Sequence, residues 1–230
     1  MSTRYRFIAL EGIDGAGKRT QLDLLAAALK KRGVECEPFA FPNYSSFFGT
    51  MVGRFLDGEF GSLADVDAHF SALLYAGDRY ESRERLRQAL DSGRVVITDR
   101  YVGSNLAHQT ARVPAARRGA FLKWLKHLEY GVYGLPRETA VIYLRVTPRA
   151  AQGLVAKKAQ RAYTKKSHDI QEASLRHLQE AAAVYDRLAR TEKNWARVDC
   201  VDARGAIKSP QQIHAEVVRV LGEKVRGLFR

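Results

Sequence analysis

Apolar residues recur along this chain at two spacings, and the switches between them mark out the elements. From Arg19 to Arg32, Leu22, Leu25, Ala26 and Leu29 fall on one face of a helix. On either side, Arg4–Leu10 and Glu35–Phe41 read as strands, and a glycine-rich connection then leads to a long helix from about Leu63 to Leu90. Val95–Thr98 is short and wholly apolar, as a strand buried on both faces of a parallel sheet is. Ala115–Tyr130 is helical, with Pro114 suited to its first turn. Thr139–Val146 is a fourth strand, and Thr147-Pro148 caps the helix after it. Beyond a basic stretch, Ser167–Arg190 is helical, Ala196–Val201 is a strand, and Ser209-Pro210 opens the last helix. Strands alternating with helices predict an α/β domain, a five-stranded parallel sheet with helices on both faces. Right-handed crossovers then gather the ligand-binding loops at one edge of that sheet.

Composition narrows the class. At 230 residues, 46% hydrophobic and 27% charged, the chain reads as one globular domain spanning 1–230, not a disordered or fibrous one. Its longest apolar runs fall far short of the ~20 residues of a membrane span, and Met1–Arg6 reads as running straight into the first strand without the apolar stretch of a signal peptide. Cys36 and Cys200 lie in apolar stretches without metal-ligand spacing, so they read as reduced, buried thiols of a cytoplasmic protein. The net charge of +13 makes polyanions plausible partners, nucleotides and nucleic acids alike. The basic residues are spread over several segments, as on a solvated face.

The first strand runs directly into Glu11-Gly12-Ile13-Asp14-Gly15-Ala16-Gly17-Lys18-Arg19-Thr20 and a helix. Gly12, four residues, Gly17 and Lys18 match a P-loop in its strand–loop–helix setting, hence a P-loop NTPase fold. Glycines let successive N–H groups turn inward on a phosphate, the helix N-terminus adds partial positive charge, and the lysine reaches the β/γ-phosphates. Arg19 stands where a Ser or Thr usually ligates magnesium. Either Thr20 or a nearby carboxylate takes over, or phosphate oxygens and water hold the metal. Further along come Phe41-Pro42-Asn43-Tyr44, Tyr75-Ala76-Gly77-Asp78-Arg79, Asp99-Arg100-Tyr101 and Ser104-Asn105-Leu106-Ala107-His108-Gln109. Each lies where it can face the P-loop edge. Together they supply two arginines for a second phosphate, aromatics for a base, and an amide and a hydroxyl for base edges.

The P-loop together with D-R-Y-x-x-S-N-x-A-x-Q resembles the thymidylate kinase family of nucleoside monophosphate kinases, over nearly the whole chain from Phe7 to about Leu221. The resemblance implies ATP on Gly12, Asp14, Gly15, Ala16, Gly17, Lys18, Arg19 and Thr20, and magnesium at Asp14, Thr20 or Asp99. For the acceptor, dTMP, it implies Asp14 on the sugar 3′-hydroxyl, Tyr44 on the phosphate, and Phe41 and a cis Pro42 shaping the pocket, with Leu56 in its wall. Tyr75 would stack on thymine, Arg79 would donate to the base carbonyl, and Ser104 and Asn105 would face the base edge. Arg100 would bridge donor and acceptor phosphates. His108 stands where many members carry a tyrosine that crowds C2′. A mobile basic lid, about 157–170, would lead into Asp169-Ile170-Gln171-Glu172, similar to the family's D-x-x-E. Since Gly15 replaces the P-loop arginine of some members, the catalytic cation would come from the lid, with Arg161 the arginine there, Lys165 or Lys166 its substitutes, and Glu172 following. Members are usually homodimers, and Leu63–Leu90 and Ala115–Tyr130 are helices long enough to pair.

Two further readings share the P-loop. The same fold acting on another pyrimidine nucleotide or a deoxynucleoside would need a different acceptor pocket. A nucleic-acid-binding P-loop ATPase would show ATPase activity stimulated by DNA or RNA, but no aromatic-studded groove supports it. A binding protein with a dead site is disfavoured by the presence of Lys18, Asp99, Arg100 and Glu172.

Overall fold

A computed structural model describes residues 6–155, 175–225 and 227–229. Five strands, β1 (Arg6–Glu11), β2 (Cys36–Ala40), β3 (Val95–Asp99), β4 (Ala140–Arg145) and β5 (Trp195–Asp199), form one sheet in the order β2-β3-β1-β4-β5. All four pairings are parallel, with Ile8 opposite Ile97 on one side and Ala140 on the other. The central strands are buried almost end to end, whereas the edge strands β2 and β5 are only partly covered. Helices α1 (Lys18–Lys30) and α9 (Pro210–Lys224) pack together on one face. On the other, α8 (Leu175–Thr191) packs on β4 and β5 and on α5 (Val102–Thr110). The predicted five-stranded parallel α/β architecture is the one observed.

The helices between β2 and β4 differ from the sequence expectation. The connection after β2 contains a helix, α2 (Phe47–Asp57), capped by Ser46, whose Oγ accepts from the Gly49 N–H at 3.0 Å, and closed by Gly58. Two glycines within the segment mask a helical spacing of Phe48, Val52, Phe55 and Leu56. The expected helix Leu63–Leu90 is two helices, α3 (Ala68–Glu81) and α4 (Arg83–Asp91), broken at Ser82. It starts late because the Asp67 carboxylate caps α3, accepting the His69 N–H at 2.7 Å. The expected helix Ala115–Tyr130 is composite: a 3₁₀ turn at Ala115–Arg117, α6 (Arg118–Lys126) and a wide π turn at His127–Val132. After β4 comes α7 (Pro148–Val155), and the predicted start of α8 at Ser167 lies outside the described residues.

The main core fills the space between the sheet and its helices, and a smaller apolar cluster of Val52, Phe55, Leu56, Val66 and Leu74 joins α2 to α3. This second cluster faces the P-loop edge and builds a wall there. Cys200 is buried beneath the P-loop, its Sγ 4.0 Å from the Ala16 oxygen; Cys36 is only half-buried, and both are free. Among the described residues, no helix is long and apolar enough to cross a membrane.

Candidate active site

At the end of β1 the chain turns through Gly12–Gly17 into α1. A Cβ on Gly12 (φ 145°) would lie 2.6 Å from the Leu144 carbonyl oxygen, and one on Gly15 (φ 83°) 2.5 Å from that of Ala151. Neither position has room for a side chain, so the loop can carry no arginine at Gly15 while α7 stays in place. Lys18 is buried, and its Nζ donates to the Gly12 and Ile13 carbonyls at 3.0 Å each.

Burial, helped by the Arg100 charge, lowers the Lys18 pKa to about 8. A bound triphosphate favours the charged ammonium, so above that pH binding must take up a proton. The ATP dissociation constant is therefore expected to be level below about pH 7 and to rise close to tenfold per unit above about pH 8. Calorimetric titrations between these limits check it; a level profile to about pH 9.5 contradicts it.

Arg100, just beyond β3, takes the left-handed conformation (φ 66°), uncommon for a residue with a side chain and frequent at functional sites. Its Nη2 pairs with Asp14 Oδ1 at 2.6 Å, and its Nη1 donates to the Gly12 carbonyl at 3.2 Å and to Ser104 Oγ at 3.0 Å. The guanidinium thereby spans the P-loop and the first turn of α5. That turn is held by Glu11, fully buried, which the sequence reading passed over. Its carboxylate accepts the N–H groups of Tyr101 (2.8 Å) and Ser104 (3.0 Å), the Ser104 hydroxyl (2.6 Å) and the Tyr185 hydroxyl (3.0 Å). Glu11 thus caps α5 from another element, where Tyr101 offers no side-chain cap. Burial raises its pKa against the pull of Ser104 and Arg100.

A pocket opens opposite the P-loop. The Phe41-Pro42 bond is cis, as expected. Asp78 fixes the segment after it, accepting the Asn43 N–H at 3.1 Å and the Ser46 hydroxyl at 3.1 Å; burial raises its pKa to about 6 despite Arg79 beside it. Tyr75 stands edge-on to Phe55, ring centroids 6.4 Å apart. Arg79 and Asn105, both buried, converge on Glu129 from the π turn. His108 is buried with Nδ1 3.3 Å from Nε2 of His177 and its own Nε2 unpartnered. Burial first, then Arg100 and His177, holds His108 neutral well below its usual range, and burial lowers His177 to about 4.

One cleft is lined by Asp14, Gly15, Gly17, Lys18, Arg19, Phe41, Pro42, Tyr44, Leu56, Tyr75, Arg79, Asp99, Arg100, Ser104, Asn105 and His108. Gly12 and Ala16, within the loop, are buried and do not line the cleft. Thr20 is exposed and outside the cleft, and Arg19, at its rim, pairs with Asp23 at 3.1 Å. Arg161, with the rest of 157–170, and Glu172 beyond it lie outside the described residues. Among the described residues no three His, Cys, Asp or Glu side chains gather as a metal cage. The cleft instead offers two carboxylates, Asp14 and Asp99, a donor set that suits magnesium completed by phosphate oxygens and water.

A glycine loop at a helix N-terminus, of the kind that cradles phosphate, with a buried lysine at its end and an arginine bridging to a second pocket, defines a P-loop phosphotransferase. The sequence model of the thymidylate kinase family matches residues 10–212. A thymidylate kinase of Mycobacterium tuberculosis is 34% identical over 183 residues, 79% of this chain and 85% of the relative. The human thymidylate kinase is 30% identical over 221 residues, 96% and 91% of the two chains. A solved structure of thymidylate kinase from Candida albicans, 18% identical, superposes with a TM-score of 0.74 over 96% of this chain and 92% of that one, a likeness of fold. The chain belongs to the thymidylate kinase family.

Proposed function

We propose that this protein transfers the γ-phosphoryl group of ATP to dTMP, giving dTDP and ADP. The observation that carries the reading is the single cleft in which the P-loop lysine and a ring-and-amide pocket face each other across Arg100. The acceptor phosphate oxygen attacks the γ-phosphorus and the bond to the β–γ bridging oxygen breaks. The acceptor oxygen is already ionised, so no side-chain nucleophile or base is needed. Charge spreads over the transferring oxygens, and Lys18 and Arg100 meet it. Asp14 and Asp99 would hold magnesium, whose charge would offset that of the donor phosphates. Tyr75 stacks on the base, Phe41, Tyr44 and Leu56 enclose it with the phosphate and sugar, and Arg79 and Asn105 meet its edge. Arg161 of the lid segment and Glu172 just after it belong to the same proposal, the lid serving to exclude water from the reaction.

The whole chain, 1–230, is one nucleoside monophosphate kinase domain in this reading, working in the cytoplasm as a homodimer. Phe70, Leu73 and Tyr80, exposed on one stripe of α3, support a self-associating face. The transfer is tested by product analysis. ATP with dTMP and magnesium should give dTDP and ADP in equal amounts, with little phosphate release when dTMP is left out. Phosphate release without dTDP would refute it.

His108 bears on the sugar. Its imidazole, smaller than a tyrosine ring, leaves room near C2′, so His108→Tyr is expected to raise the kcat/KM ratio of dUMP over UMP. The gain is limited to about 10²-fold, the most an apolar wall rejects an added hydroxyl. An unchanged ratio would remove His108 from the sugar pocket.

A further inference from the structure

The geometry points to Glu129, a residue outside the cleft, as the positioning residue that decides which base edge the acceptor pocket accepts. Glu129 lies on the π turn His127–Val132 with no exposed surface, and its carboxylate serves two residues at once. Its Oε2 accepts from Arg79 Nε at 3.0 Å, and its Oε1 accepts from Arg79 Nη2 and from Asn105 Nδ2, the latter at 2.7 Å. The second Asn105 N–H goes to the Ala72 carbonyl at 3.0 Å.

Both amide protons of Asn105 are therefore spent on acceptors, and its Oδ1 is left buried and without a partner. Asn105 can offer a ligand only an acceptor. Arg79, held along one side of its guanidinium, keeps its Nη1 edge as a donor. Acceptor and donor side by side complement an imide edge, with its ring N–H and adjacent carbonyl, as in thymine and uracil. Cytosine presents the reverse pattern there, an unprotonated ring nitrogen beside an amino group. The choice depends on Glu129 because both its oxygens accept, Oε2 from Arg79 and Oε1 from Arg79 and Asn105. Turning the Asn105 amide over would set its oxygen against two acceptors, Glu129 Oε1 and the Ala72 carbonyl. A glutamine at 129 has a donor as well, and it also withdraws the charge that holds Arg79.

The inference rests on the dTMP kinase reading. Its test is the ratio of kcat/KM for dTMP over dCMP in the parent, Glu129→Gln and Glu129→Asp. In E129Q the ratio is expected to fall at least about tenfold, carried mainly by KM. In E129D, which still only accepts, the parent's preference for dTMP should persist even if both rates drop. A parallel loss of both substrates in E129Q, with the ratio unchanged, would overturn the role of Glu129 and leave the kinase reading intact. A parent that does not phosphorylate dTMP would instead overturn the kinase reading. Hydrogen exchange of the Asn105 side-chain amide, read by nitrogen-15 NMR in the parent, remains decisive if E129Q does not fold. The protons should be protected in the free protein and stay protected with dTMP bound; exchange at the rate of an exposed amide in either state contradicts the lock.

Discussion

Lys18→Ala is expected to lower turnover with ATP and dTMP by about a hundredfold or more while leaving the protein folded. The ammonium sits in the P-loop, held by the Gly12 and Ile13 carbonyls, where it is placed for the donor phosphates. There it opposes charge that spreads over the transferring oxygens, in a site where water is displaced. Its removal does not threaten the fold. A buried lysine whose pKa has fallen to about 8 is charged at neutral pH against its environment. The alanine variant should melt at the parent's temperature or above it, and lose activity in kcat as well as in ATP affinity. Activity near that of the parent in a well-folded variant would remove Lys18 from the reaction.

Arg100→Gln should cost about 10²–10³ in kcat. Glutamine pays the same left-handed backbone penalty as arginine, so the comparison isolates the charge from the conformation at φ 66°. The lost guanidinium joins Asp14, the Gly12 carbonyl and Ser104, so both sides of the cleft lose their common tie. A displaced water cannot take over a fixed cation aimed at charge that develops only in the transition state. Stopped-flow binding should show each nucleotide still bound, with phosphoryl transfer as the slowed step. A variant that transfers at the parent's rate but binds dTMP weakly would confine Arg100 to ground-state binding.

Local pattern carried much of this architecture. Helical spacing on α1 and the wholly apolar β3 made the alternating fold readable, and the P-loop with its neighbouring segments named nearly all the cleft-lining residues. What escaped shares one physical cause: it depends on partners far apart in the chain. Helix α2 was hidden by two internal glycines and is stabilised by packing on α3. The break at Ser82 falls between two helices that each carry buried positions, and no glycine or proline marks it. Glu11 and Glu129 are acids in apolar settings, at the end of a buried strand and beside Leu128. That contrast is visible in the sequence, but their partners are 90 or more and 24–50 residues away. Thr20 shows the reverse, a sensible chemical substitute for the missing Ser/Thr that the helix turns away from the cleft.

The central claim, phosphoryl transfer to a thymine nucleotide, is tested most directly by one coupled ADP-release assay. It takes dTMP, dUMP, dCMP, dAMP, dGMP and thymidine as acceptors, with single- and double-stranded DNA as further additions. The account predicts kcat/KM for dTMP well ahead of both purine nucleotides and thymidine, and ADP release unchanged by DNA. A purine monophosphate that outcompetes dTMP, or ADP release driven by DNA without a nucleotide acceptor, would contradict it.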